Sequence, residues 1–205
     1  MSSVLFWLLV NLPGAFFAPV IHEFTKARVS AALGDPQPRK NGFITFDPLR
    51  FFEPIGFILM LAYGVGWGQP VPTSPFYYKD KRKGIALTYI TPIIANLFVG
   101  MAVIFLASVL RRIPLEIMQW GDGFLIYALT RFGRLNIRLA VFNLLPIHPL
   151  AMSKLLPLFV SPETTMTLNQ HEKPMQLLML FLLMFGVLDG IIEPITHIFM
   201  SAVLW

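Results

Sequence analysis

The stretch "VIHEFTKARVSAALGD", residues 20–35, places an ionisable pair, His22 and Glu23, directly after a long apolar run. The pair begins the pattern HExxH, which sets two imidazoles one helical turn apart around a zinc ion, with the glutamate beside them as general base. The second imidazole belongs at position 26, where this sequence has a lysine. A His-Glu pair alone is weak evidence, but ionisable residues inside a membrane segment are costly and by default indicate function.

The composition around this stretch indicates an integral membrane protein. The chain has 205 residues, of which 56% are hydrophobic and 13% charged, whereas soluble domains carry about 25% charged residues. Cysteine is absent, which excludes disulfides and thiolate zinc sites. We expect one domain, residues 1–205, and we attribute the net charge of +5 to basic residues next to lipid rather than to nucleic-acid binding.

Apolar stretches long enough to cross a bilayer mark the candidate membrane spans. The first of them, beginning "VLFWLLV", lacks the basic start and small-residue cleavage site of a signal peptide, so we expect a retained helix. Residues 113–133 are mixed and predict a surface helix or loop. The predicted spans are residues 4–32, 85–110, 134–159 and 177–204, with a weaker candidate at 51–68.

The weaker candidate predicts a re-entrant hairpin rather than a span. It reads "FFEPIGFILMLAYGVGWGQPVP" and lies between two basic loops, which the positive-inside rule keeps on one face of the membrane. Before it, "GDPQPRKNGFITFDPL", residues 34–49, combines turn residues with the alternating "FITF" and predicts a short membrane-associated β-hairpin. The predicted fold is therefore an all-α polytopic membrane protein with about four transmembrane helices, a re-entrant hairpin and a β-hairpin.

Two further motifs interrupt apolar helices. In "TPIIAN", residues 91–96, Pro92 and Asn96 predict a kink with a packed amide. In "NLLPIHPLAMSK", residues 143–154, Pro146 and the proline after His148 predict a helix end.

Taken together and in this order, these motifs resemble the site-2 protease family of intramembrane zinc metalloproteases, in its short prokaryotic form. "HEFTK" stands where the family has HExxH, and "GDPQPRKNGFITFDPL" is similar to its post-motif sheet region. "FFEPIG" followed by "GWGQPVP" resembles its re-entrant loop, and "TPIIAN" its Pro-Asn helix. "NLLPIHPLAM", from Asn143 through Pro146, matches the family pattern N-x-x-P-x-x-x-x-D-G in register.

The departures from the family fall on its chemistry. The resemblance implies that two histidines and the aspartate of the last motif bind zinc, and only the first, His22, is present. The other two positions hold Lys26 and Ala151, while Glu23, the position of the general base, is intact. A catalytic zinc typically needs three protein ligands and a water. We therefore interpret His22 and Glu23 as vestigial and expect no cofactor.

The role of Lys26 admits two interpretations. Its ammonium can reach Glu23 three residues earlier on a helix, where it would replace the charge of the metal. Alternatively, the lysine extends to the membrane surface and pairs with nothing. His148 is close enough in sequence to Ala151 to serve as a substitute ligand, although the intervening proline leaves its direction open.

The last span carries Asp189, Glu193 and His197 at intervals of four residues, on one helical face. The favoured interpretation is a polar stripe packed inside the bundle or at its watery end. The alternatives are a contact seam for another membrane subunit and a replacement proton or cation site.

From these residues we expect a catalytically inactive member of the family that acts as a binding, scaffold or assembly subunit. Its partner would be another membrane protein or a membrane-embedded segment, and its location a prokaryotic cytoplasmic membrane. One alternative is an active intramembrane zinc protease with a metal site rebuilt from His22, Glu23, His148 and Asp189. Another is a transporter, against which stands the lack of internal symmetry between spans.

Overall fold

The computed structural model describes residues 3–112 and 122–203, and within these ranges its regular structure is helical. Three short 3-10 helices cover Pro48–Phe51, Pro75–Tyr77 and Ala151–Leu158. The α-helices, in chain order, are α1 Ser3–Ala32, α2 Gln37–Lys40, α3 Pro54–Tyr63, α4 Lys81–Leu110, α5 Asp122–Asn143, α6 Pro162–Gln170, α7 Glu172–Met184 and α8 Asp189–Ser201.

Among the described helices, α1 and α4 are each long and apolar enough to cross a membrane. A third span results if α7 and α8, which are bent by 72° at the break between them, count as one. Large apolar side chains on α4 point outward, as lipid contact requires; Phe98 and Phe105 are more than half exposed. The expectation of a helical membrane protein is therefore supported, and two or three spans among the described residues meet the length and apolar content of a membrane crossing. The predicted number of about four spans stays a prediction.

The helices in the predicted spans 134–159 and 177–204 are each interrupted. Helix α5 begins at Asp122 and ends at Asn143, because Pro146 and Pro149 lack the N–H groups that a continuing helix needs. The last apolar stretch breaks between Met184 and Asp189, where Gly186 adopts a φ of +72°. Of the mixed region 113–133, residues 113–121 lie outside the described residues, and the remainder belongs to α5.

The bundle is built on α1, α4 and α5, which pack against one another, with α8 against α5. At the crossing of α4 and α5 the two backbones approach closely at Gly100 and Gly133. A Cβ atom on either glycine would lie 2.7 Å from the carbonyl oxygen of the other. Such small residues let membrane helices pack at short range.

Residues 51–71 reverse direction, in agreement with the predicted hairpin. Helix α3 begins after its N-cap Glu53 and ends at Gly64, whose φ of +70° allows the turn. The chain then returns beside α3 in an extended form, and the Gln69 N–H donates to the Phe51 carbonyl at 2.8 Å. The membrane face on which the hairpin opens stays a prediction.

The predicted β-hairpin at 34–49 is wrong, because no strand forms among the described residues of this segment. Asp35 accepts a hydrogen bond from the Gln37 N–H at 2.9 Å, and α2 begins there. Asp47 then caps the next 3-10 helix by accepting from the Leu49 N–H at 3.0 Å. Local capping therefore competes with strand pairing along this segment and prevails over the alternation in "FITF".

Candidate functional site

A cavity of about 450 Å³ lies where the separate motifs of the sequence meet. Helices α1, α4 and α7, the returning arm of the hairpin and the chain after α5 all contribute to its wall. It therefore joins segments that are more than a hundred residues apart. The residues that line it include His22, Glu23, Lys26, Trp67, Val71, Tyr89, Asn143, Ala151, Lys154 and Glu172.

His22 is held by a chain of buried amides. Its Nδ1 lies 3.2 Å from Asn96 Oδ1, and the Asn96 Nδ2 donates to the Ala18 carbonyl at 2.9 Å and to Asn136 Oδ1 at 3.0 Å. Because the Asn96 amide nitrogen donates elsewhere, its oxygen accepts from His22, which places the proton of the neutral imidazole on Nδ1. Asn96 of "TPIIAN" thus orients His22, with Pro92 one turn earlier on the same helix and also buried.

Glu23 and Lys26 form an ion pair inside the cavity. The Lys26 Nζ lies 3.2 Å from Glu23 Oε2, with the two side chains only 12% and 10% exposed. The same carboxylate oxygen accepts the Val71 N–H at 2.9 Å, from the returning arm of the hairpin. The ammonium also lies 5.6 Å from the centre of the Tyr89 ring. Lys26 therefore faces Glu23 and an aromatic ring rather than extending to the surface.

Ala151, the position that the resemblance assigned to the third ligand, lies in the same cavity. Asn143, the last residue of α5, accepts the Ala151 N–H through Oδ1 at 3.3 Å and donates through Nδ2 to the Leu139 carbonyl at 3.0 Å. This bridge, across the turn that contains Pro146, presents Ala151 to the cavity that also contains His22 and Glu23. Positions 22, 26 and 151, to which the resemblance assigned the zinc ligands, thus line one cavity, and position 151 presents a methyl group to it.

The residues present do not fit a zinc ion. Within the described ranges no three His, Cys, Asp or Glu side chains form a group that could hold a metal. His148 is buried, but it does not line the cavity, and its Nδ1 makes no hydrogen bond. Asp189 pairs with Arg138 on another side of the bundle. The substitute ligands considered from the sequence are therefore not gathered around His22.

Two of the three ionisable residues on α8 form ion pairs with α5, and the third is exposed. Arg138 of α5 forms ion pairs with both Asp189 and Glu193, and Arg134 forms a second pair with Glu193. His197 is exposed. Asp189 and Glu193 thus pair with α5 while their side chains stay 43% and 42% exposed, and the sequence analysis missed their arginine partners. The spacing of Arg134 and Arg138, four residues apart on one helical face, was the available indication.

Sequence reasoning also missed the other polar groups of the cavity. Lys154 and Glu172 pair at 2.9 Å, and Thr73 Oγ1 lies 3.2 Å from the hydroxyl of Tyr89. Lys154 follows Ala151 by three residues, but Glu172 comes from another helix, and no local pattern links the two. The cavity therefore contains two lysine–glutamate pairs in addition to His22.

The chain is 28% identical over 170 residues to "Putative zinc metalloprotease YwhC" of Bacillus subtilis (strain 168), an alignment that covers 83% of this chain and 76% of that protein. No protein-family model and no solved structure matches the sequence. The similarity extends over most of the chain and supports a zinc-metalloprotease-like membrane protein.

Proposed function

We propose that this protein retains a zinc-metalloprotease-like architecture in a prokaryotic cytoplasmic membrane, does not hydrolyse peptides, and binds a membrane-embedded segment of another protein as a scaffold or assembly subunit. One observation carries the proposal: the Lys26 ammonium lies beside Glu23, in the cavity that also contains His22 and Ala151.

The chemistry of this pair opposes metal-assisted hydrolysis. A zinc ion next to His22 would be close to the Lys26 ammonium, and two cations repel strongly where water is scarce. A general base takes a proton from water through a carboxylate oxygen, and Glu23 Oε2 already accepts from Lys26 and from the Val71 N–H. The ion pair thus directs one of the two carboxylate oxygens to donors of the chain itself.

The same cavity supports a binding role. Its volume of about 450 Å³ falls within the range of about 300–1,000 Å³ that ligand sites occupy. Trp67, Tyr89 and Leu139 offer apolar and aromatic contacts, and the two lysine–glutamate pairs offer hydrogen bonds. Apolar surface with a few polar groups suits side chains of an inserted segment, and nothing in the charge pattern calls for nucleic acid.

Metal analysis of the purified protein tests the loss of hydrolysis. We expect no stoichiometric zinc in the wild type. Lys26→His/Ala151→Asp restores the two missing ligand types and should bind about one zinc per chain, a binding that a further His22→Ala abolishes. The single variants Lys26→His and Ala151→Asp serve as controls, since each leaves the site one ligand short. About one zinc per wild-type chain, lost in His22→Ala, would contradict the proposal.

One competing function is an active intramembrane protease with a rearranged metal site, and we consider it because the chain is similar to a protein named as a zinc metalloprotease. It would require Asp189 to leave Arg138 and His148 to enter the cavity.

A photo-crosslinking residue at Tyr89 separates the two functions. The control is the same residue at Phe98, which is 72% exposed on α4. If the protein binds a partner, the crosslinker at Tyr89 should capture an intact membrane protein. The Ala151→Trp variant, whose larger side chain fills the cavity, should prevent that capture. Captured fragments that become intact in Glu23→Gln would indicate hydrolysis.

A further inference from the structure

A second cavity, of about 210 Å³, lies between the first half of α1, the end of α3 and the arginine-bearing face of α5. Asn11 and His22 are eleven positions apart on α1, which corresponds to about 16 Å along the helix, so this cavity is distinct from the site described above. Its polar lining consists of Asn11 and of Arg131, Arg134 and Arg138.

The charges around this cavity do not balance. Arg138 binds Asp189, Glu193 and the Tyr63 carbonyl, the last at 2.9 Å, while Arg134 binds Glu193. Both carboxylates are thereby engaged by two of the three guanidinium groups. Within the described ranges no carboxylate lies at ion-pair distance from Arg131.

Arg131 instead binds a neutral acceptor. Its Nε and one terminal nitrogen both donate to Asn11 Oδ1, at 3.0 and 2.8 Å. Asn11 is only 2% exposed, and its own Nδ2 donates to the Trp7 carbonyl at 2.8 Å. An amide oxygen cannot cancel the charge of a guanidinium, so the cluster keeps an excess positive charge.

Arg138 has unused hydrogen-bonding capacity in the same place. Its side chain is 9% exposed, and its Nε is buried without a hydrogen-bond partner. Buried donors in proteins are nearly always paired, with protein, water or ligand. An excess cation and an unpaired buried donor thus belong to two side chains that line one cavity.

We infer that this cavity is a binding site for a phosphate-type oxyanion, supplied either by a lipid headgroup or by free phosphate. Guanidinium groups present paired N–H donors whose geometry matches phosphate oxygens. A bound anion balances the charge of Arg131. Trp7 also lines the cavity, and tryptophan is enriched at the headgroup level of membranes. The inference does not depend on the proposed function, because it concerns other residues.

The test measures melting of the protein purified in neutral, phosphate-free detergent. One arm titrates inorganic phosphate against chloride at equal ionic strength. The other adds phosphatidic acid in mixed micelles, against diacylglycerol with the same acyl chains. We expect phosphate, phosphatidic acid or both to raise the melting temperature, since a ligand that binds only the folded state stabilises it. The responding arm identifies the source, and no response in either arm overturns the inference.

Variants connect the response to the site. Arg131→Gln should weaken the apparent affinity by about tenfold or more, the loss expected for a charge-assisted contact. Arg39→Gln removes an exposed arginine of α2 and should leave the affinity unchanged. An equal effect of both variants would mean that the anion acts through general surface charge, and would overturn the site.

Asn11→Asp provides an independent test if Arg131→Gln fails to fold. The new carboxylate lies against Arg131 with nearly unchanged shape and acts as an internal anion. We expect the variant to fold and to lose its response to phosphate. An unchanged response would overturn the inference.

Discussion

At the scale of single residues, the Glu23–Lys26 pair explains how α1 keeps a carboxylate in an apolar setting. The three-residue spacing on one helix brings the two side chains within reach, and the observed Nζ–Oε2 distance is 3.2 Å. The Val71 N–H adds a second donor from the hairpin. The carboxylate is therefore stabilised both by its own helix and by a tertiary contact.

Removing Lys26 should destabilise the protein strongly. Lys26→Ala leaves Glu23 as an unpaired buried charge, and breaking a buried ion pair from one side typically costs about 3–5 kcal/mol. Glu23→Gln/Lys26→Met removes both charges and should cost much less. The coupling between the two positions is measured by a double-mutant cycle on thermal unfolding in detergent.

The Asp80–Lys83 pair provides the matched control, since it has the same spacing but side chains 52% and 81% exposed. The coupling free energy between these two positions, measured with Asp80→Asn/Lys83→Ala, should be at most about 1 kcal/mol. Equal, small couplings at both pairs would show that Lys26 does not compensate the charge of Glu23.

At the scale of elements, the hairpin depends on glycines that bring two backbones together. A Cβ atom at Gly56 would lie 2.0 Å from the Trp67 carbonyl oxygen, and one at Gly66 would lie 2.1 Å from the Gly56 carbonyl oxygen. Backbone atoms cannot move aside as the end of a flexible side chain can. The returning arm, which carries Trp67 and Val71 into the cavity, therefore has no room for larger residues at these two positions.

We expect Gly56→Ala and Gly66→Ala each to destabilise the protein by about 1–3 kcal/mol, the usual cost of overpacking. Gly190→Ala is the control, because nothing lies within 4 Å of a Cβ atom at this position of α8. That variant should be neutral or stabilising by up to about 1 kcal/mol, since alanine favours a helix over glycine. The melting temperatures of the three variants are compared with that of the wild type in one detergent. An unchanged melting temperature for Gly56→Ala would contradict the close contact between the backbones at Gly56 and Trp67.

At the scale of the whole molecule, the two ends of the hairpin lie at the same end of α1. Asp35 Oδ2 accepts from the Ser30 hydroxyl at 2.8 Å and from the Ser74 N–H at 2.6 Å. The Tyr78 hydroxyl lies 2.9 Å from the Ser30 hydroxyl. The segments before and after the hairpin are thus joined, and we expect both on one face of the membrane.

Cysteine labelling checks this arrangement, because the chain has no cysteine of its own. Asn41→Cys and Lys79→Cys should react with an impermeant maleimide from the same side of sealed vesicles. Arg111→Cys, just beyond the other end of α4, should react from the opposite side. Labelling of positions 41 and 79 from different sides would mean that residues 51–69 cross the membrane.

The sequence by itself determined the properties that depend on residue type and on near neighbours. The apolar content predicted a membrane protein, the basic loops on both sides of residues 51–68 predicted the chain reversal, and Pro146 predicted a helix end. These inferences depend on helix length, loop charge and proline geometry, which follow from local composition. The identities at positions 22, 26 and 151 predict a site without a full set of zinc ligands, and this stays a prediction.

Only the tertiary structure decided which distant groups meet. Asn96 forms a hydrogen bond with His22, 74 positions away in the chain, and Val71 forms one with Glu23, 48 positions away. Arg138 and Glu193, which form another, are 55 positions apart. The tertiary structure also broke the last apolar stretch into α7 and α8 and replaced the expected β-hairpin with short helices. Periodicity shows which face of a helix is apolar, but the partner of that face depends on how all the helices pack together, and no local pattern encodes that choice.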